Sequence, residues 1–202
     1  MTIVLTLVVH GPTLATRNAA FSGDEPLLPG PPAGQSLLSR GRKALSSPAR
    51  ACLETAARLG VAPKTDSALA NLDCGRWTGL ALAQVAETEP EALVQWIDDP
   101  TWRGHGGESR SDLVLRVADW LQGLSQDGTH CLAFTHSPVI RALVLHILEA
   151  PAPAFWSLDI GPWTITEFRH DGRRWTLRAL ACPLSSNQPF RARRVSAPPT
   201  AS

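Results

Sequence analysis

The sequence predicts an α/β fold: a three-layer sandwich with a mostly parallel central sheet, helices on both faces and an antiparallel C-terminal part. Three observations predict it. Near-continuous apolar runs, at Thr2–Val9, where β-branched residues are abundant, and within His130–His136, fit strands covered on both faces. Segments with helical spacing of apolar residues separate them. Two later runs, "WTITEFRH" and "RWTLRAL", meet at Asp171-Gly172, a dipeptide of hairpin turns.

The elements follow in order. The first strand, Thr2–Val9, is broken by Gly11, Pro12 and Thr13. Phe21–Gly34 holds four prolines and three glycines and reads as loop. A helix is predicted from Pro48 to Leu59, with Ser47 as N-cap, Pro48 at its first position and Gly60 closing it; Ala51, Thr55 and Leu59 share a face. Leu80–Glu87 and Glu91–Ile97 read as short helices separated by Pro90. Beyond the loop "PTWRGHGGES", Leu113, Val117, Trp120, Leu121 and Leu124 recur at helical steps in a helix that starts near Ser109 and ends at Gly128. The strand "HCLAFTH" follows, then a helix to about Leu148 with Ser137 as N-cap and Pro138 in its first turn. "AFWSLDI" reads as a further short strand before the hairpin. Residues 1–182 form one domain, and 183–202, poor in core residues and rich in proline, are expected to be a disordered tail.

Composition narrows the function. With 19 Lys+Arg against 18 Asp+Glu, the net charge of +1 leaves no footprint for nucleic acid and no polybasic patch for a membrane. The expected partner is a small molecule held in a pocket; oligomeric state is not legible. Four cysteines, Cys52, Cys74, Cys131 and Cys182, are widely spaced without a Cys-x-x-Cys pair, and the apolar opening run has no basic region before it. Free thiols and a cytoplasmic location are therefore expected.

Two strands end in histidine, His10 and His136. At the carboxyl ends of parallel strands, beside helix N-termini, they predict a shared pocket for an anionic ligand. No His-x-x-x-His, His-Glu-x-x-His or clustered Cys/His set is present, so no metal and no other cofactor are expected.

In six short motifs the chain resembles the histidine phosphatase superfamily, in its phosphoglycerate-mutase-like branch. They are "VVHGPT", "FSGDEPL", "SSPARACLETAARLG", "LDCGRWTGL", "GGES" and "FTHSPVIRAL", whose order and spacing span most of Thr2–Leu180. The resemblance implies that His10 attacks a phosphoryl group to form a phosphohistidine and that His136 helps hold the phosphate. In the family two arginines clamp the oxygens and a carboxylic acid protonates the leaving oxygen. Here Val9 and Ala51 stand at the arginine positions and Asn71 at the acid, so the site reads as degenerate. Asn cannot give up a proton at neutral pH.

Neighbours supply the remaining expectations. Gly11 and Thr13 border the nucleophile, and Arg17 lies in the loop that begins at the pocket. Arg50 is one residue early for the clamp, turned about 100° around the helix. Asp73, placed on the face of Asn71 by strand alternation, and Glu108 are the acid candidates. Ser137 adds a hydroxyl beside His136. Arg141 reads as a surface residue, and Trp102 as a pocket wall. The residues leave three functions open: phosphoryl transfer or hydrolysis through His10 on one specific small substrate; acid–base chemistry by His10 and His136 in a repurposed enzyme; and ligand binding without catalysis.

Overall fold

The computed structural model describes residues 2–30 and 42–184. A six-stranded mixed sheet runs through it in the order β3-β2-β4-β1-β5-β6. β1 (Ile3–Val9), β2 (Lys43–Ser46), β3 (Lys64–Thr65) and β4 (Cys131–Thr135) are mutually parallel. β5 (Thr164–His170) and β6 (Trp175–Pro183) add an antiparallel edge. The expected α/β architecture is the one found.

Alternation along β1 builds the layers. Leu5, Leu7 and Val9 point into a core shared with Leu113, Val117 and Leu121 of α5 (Arg110–Asp127) and with Ile140 and Leu143 of α6 (Ser137–Leu148). Val8 points the other way, with Leu132 and Phe134 of β4, onto Cys52, Ala56 and Leu59 around α2 (Arg50–Arg58). A strand covered on both faces is continuously apolar, and for that reason β1 and β4 were visible in the sequence. The remaining helices are the short α1 (Leu14–Arg17), α3 (Leu82–Thr88) and α4 (Pro90–Asp98).

Most caps agree with expectation. Ser109 and Asp112 form a reciprocal capping box at the start of α5, and Gly128 ends it at φ 69°. Three expectations are corrected. α2 begins at Arg50 rather than Pro48, with Ala49 as its cap; the Ser47 hydroxyl still accepts from Ala49 N–H at 3.2 Å and also pairs with the His136 imidazole. α6 is capped by His136 rather than Ser137. "AFWSLDI" is largely a 3-10 helical segment, Ala152–Ser157, opened by Pro151 and Pro153 near its start. Short apolar runs do not separate strand from helix, and here the prolines decide.

No helix among the described residues is long and apolar enough to cross a membrane. Part of the expected loop Phe21–Gly34 and nearly all of the expected tail 183–202 lie outside the described residues.

Candidate active site

Because β1 and β4 are adjacent and parallel, with Val9 opposite Thr135, the residue after each strand arrives at one place. The ring centroids of His10 and His136 are 5.0 Å apart at 67°. Both rings are buried, 5% and 3% exposed.

His10 is held by its own turn: Nδ1 donates to the Gly11 carbonyl at 2.7 Å, which fixes the tautomer with the Nε2 lone pair bare. Nε2 makes no hydrogen bond to the described residues. Gly11 is fixed in turn, its N–H donating to Thr55 Oγ1 at 2.9 Å, while that hydroxyl donates to the Ala51 carbonyl. The ring of Trp163 lies against Gly11 so closely that a Cβ there would stand 2.5 Å from it. Glycine is required here by close approach, not by its dihedral angles.

His136 pairs through Nε2 with Ser47 Oγ at 2.9 Å, with the Cys52 sulfur at 3.5 Å. Its Nδ1 is buried with no partner among the described residues. Burial lowers the pKa of His10 from 6.5, against the raising effect of the Gly11 hydrogen bond and the Glu25 charge. Burial, the neighbouring His10 and Arg116 hold His136 well below 6.5. Both rings are neutral at pH 7.

This arrangement has a stability consequence. An unfolded chain takes up protons at these histidines near pH 6.5, whereas the folded chain resists until lower pH, so stability is full above pH 6.5 and falls as the pH drops toward the folded-state values. The slope is at most about 1.4 kcal/mol per pH unit for each histidine. Urea denaturation at pH 7.5 and 5.5 is expected to show this loss, and His136→Gln is expected to shrink it. Equal stability at the two pH values in the wild type contradicts the assignment.

The two histidines open into a cleft of about 520 Å³, lined also by Asn71, Ser137 and Arg141 and walled by Phe21, Trp96, Phe155 and Trp156. Trp96 and Trp156 meet edge to face at 4.8 Å. Of the expected site residues, the structure brings His10, His136, Asn71 and Ser137 to this cleft. The Asn71 Oδ1 is buried without a partner among the described residues. The Ser137 hydroxyl is not free to donate to a ligand, since it already donates to the Ile160 carbonyl at 2.5 Å.

The others lie elsewhere. Gly11 is under Trp163, and Thr13 is spent as the N-cap of α1, accepting from Thr16 N–H. Arg17 is exposed at the end of α1. Arg50 is exposed and paired with Glu54 at 2.7 Å. Asp73 is not on a strand: its segment is a loop leading to a 3-10 turn, Gly75–Trp77, and its carboxylate accepts from Gly75 N–H. Glu108 binds Arg116 through both oxygens, and Arg116 also donates to the carbonyls of Ala68, Ala70 and Asn71. Trp102 stacks on Trp77 at 5.3 Å and does not line the cleft.

Arg141 was missed as a site residue. It is half-buried, its Nε is buried without a partner, and its guanidinium lies 5.6 Å from the Phe155 ring centroid. The signal was available: Ser137, Pro138 and Arg141 fall on one face of a helix beginning after His136, and all three line the cleft. The four cysteines are free, and burial pushes the thiols of Cys52, Cys74 and Cys131 up to about 12. No group of three or more His, Cys, Asp or Glu side chains placed to hold a metal occurs among the described residues.

A mixed sheet with two histidines at adjacent strand ends defines the class, and comparison places the chain within it. The model of the histidine phosphatase superfamily (branch 1) matches residues 33–183, and the chain belongs to that family. The match begins after His10, short of the Thr2 start of the motif resemblance. A glucosyl-3-phosphoglycerate phosphatase of Mycobacterium tuberculosis is 31% identical over 137 residues, 59% of this chain and 61% of that protein. The match thus spans less than two thirds of the relative's length. Phosphoserine phosphatase 1 of Hydrogenobacter thermophilus is 27% identical over 89 residues, 43% of this chain and 42% of the relative. Among solved structures, a mycobacterial glucosyl-3-phosphoglycerate phosphatase complexed with VO3 superposes with a TM-score of 0.75 at 25% identity, covering 89% of this chain and 99% of the other.

Proposed function

We propose that this member of the family hydrolyses or transfers a phosphoryl group through a phosphohistidine at His10, on one specific small substrate, and is slow on phosphate esters in general. One observation carries the reading: Nδ1 of His10 is locked to the Gly11 carbonyl, leaving a neutral imidazole whose Nε2 lone pair is unengaged at the cleft. That is the form a nucleophile needs at neutral pH. Nε2 forms a bond to phosphorus as the leaving oxygen departs, and water then attacks the same phosphorus, releasing phosphate and restoring the neutral ring. His136 and Arg141 flank the space for the transferred group. The family membership and the phosphatases among its relatives support this chemistry.

Slowness follows from what the usual positions hold. Val9 is 1% exposed and packed in the core, and Ala51 is buried on α2, so neither position offers a cation. Removing one such preorganised donor costs about 10²- to 10³-fold. The free thiols fit a reducing, cytoplasmic setting.

Trapping tests the nucleophile. Wild-type protein turning over p-nitrophenyl phosphate, quenched in alkali and digested, is expected to carry phosphate on His10 that is stable to base and released by acid. Turnover without any adduct at His10 overturns the reading.

A further inference from the structure

The cleft has a nucleophile but no proton donor suited to a leaving oxygen. All 18 acidic side chains of the sequence lie within the described residues, and none lines the cleft. Most of those nearest in chain or charge are held by other partners, and Asp159, next to Ile160 and with a charge that reaches Arg141, is exposed to solvent. Glu25, whose charge reaches His10, accepts from the N–H groups of Ala15 and Gly23. Asp73 caps Gly75, Glu108 is bound by Arg116, and Glu54 is shared between Arg50 and Leu27 N–H.

The groups that do line the cleft are poor replacements. His136 is neutral and so carries no acidic proton. The Cys74 thiol is pushed up to about 12 and donates to the Leu72 carbonyl. The Ser137 hydroxyl already donates to the Ile160 carbonyl, and Asn71 is an amide. General acid catalysis contributes about 10²- to 10⁴-fold to such a step, and a substrate that needs it is handicapped here by that factor.

From this, resting on the phosphohistidine reading above, we infer the substrate class: a phosphate monoester of an acidic hydroxyl on a flat apolar scaffold, an aryl phosphate, whose leaving oxygen departs as a stabilised anion. The scaffold stacks in the wall of Phe21, Trp96, Phe155 and Trp156, while the phosphoryl group faces His10 and Arg141. In the first step the Nε2 lone pair forms the N–P bond, and the P–O electron pair leaves on the aryloxide, which takes its proton from bulk water. In the second, the oxygen of a water molecule replaces the nitrogen on phosphorus, and the water proton passes to solvent. An alkyl phosphate, whose alkoxide is far more basic, stalls at the first step.

The test is a leaving-group series: aryl phosphates of phenols with pKa from about 7 to about 10, with an alkyl phosphate of similar size. Wild type, His10→Ala and Asn71→Asp are compared. Asn71→Asp places a carboxyl where an oxygen is already buried without a partner, and burial keeps such a carboxyl protonated and able to donate.

Wild type is expected to lose about 10²- to 10⁴-fold in kcat/KM from the most acidic phenol to the alkyl alcohol, with Asn71→Asp recovering much of the loss at the basic end. A wild-type rate that barely changes across the series while His10→Ala abolishes turnover overturns the substrate class and leaves the phosphohistidine reading standing. Absence of any His10-dependent turnover overturns both. The wild-type slope decides the matter even if the aspartate variant fails to fold.

Discussion

His10→Ala is expected to lower the turnover of p-nitrophenyl phosphate by at least about 10³-fold and to abolish the acid-labile adduct. Where covalent chemistry is split between a nucleophile and supporting groups, loss of the nucleophile alone costs about as much as loss of the whole set, roughly 10⁶-fold in a well-equipped hydrolase. On the proposed reading the expected effect is smaller, because no carboxyl lines the cleft and the positions of Val9 and Ala51 are apolar. What survives is binding by Arg141 and His136, which without Nε2 makes no bond to phosphorus. The variant also separates chemistry from folding. Removing a buried imidazole whose pKa is depressed removes its share of the acid-side stability loss, so His10→Ala is expected to fall less steeply in stability below pH 6.5 than wild type. A parallel rate of hydrolysis in variant and wild type rules out His10 as the nucleophile. Lost activity with an unchanged pH dependence of stability contradicts its buried, neutral state.

The parts of the molecule legible in the sequence are those whose cause is local. β1 and β4 announce themselves because a strand covered on both faces must be apolar throughout, and an imidazole at the end of such a run stands out from it. Two of these strands in parallel put His10 and His136 together. The parts not legible depend on partners distant in the chain. Ser47 reads as a helix cap, and its hydroxyl does accept from Ala49 N–H, but its other partner is a histidine 89 residues away. Glu108 reads as an available acid until Arg116, on the next turns of α5, folds back over it and over the carbonyls of 68–71. Alternation puts Asp73 on a strand face, but the positive φ of Gly75 and the approach of its backbone to the His105 carbonyl turn that segment into a loop and aim the carboxylate back at Gly75 N–H. The sequence alone does not tell Arg50 and Arg141 apart as cations near the pocket. They differ because a carboxylate one turn along α2 claims the first, whereas the second lies under Phe155 with none to claim it.

That difference makes Arg141 the most informative residue after His10. Its guanidinium is half-buried, forms no ion pair among the described residues, and has an Nε buried without a partner among them; burial lowers its pKa, against the opposing charge of Asp159. A buried cation without a counter-ion is unfavourable for folding, and replacing such a group by an apolar residue of similar volume is often neutral or stabilising. Arg141→Met is therefore expected to unfold no earlier in urea than wild type. Its activity is expected to move the other way, losing about 10²- to 10³-fold in kcat/KM for aryl phosphates, because Arg141 is the one cation lining the cleft among the described residues. Arg141→Lys keeps the charge but not the planar fork and is expected to fall between the two. Inorganic phosphate or vanadate should raise the thermal midpoint of wild type, through preferential binding to the folded state, and raise that of Arg141→Met much less. Opposite signs for stability and activity are the signature of a charge placed for a ligand. A variant that loses both together shows instead that the stacking of Arg141 on Phe155 holds the cleft wall, and a variant that loses neither removes Arg141 from the site.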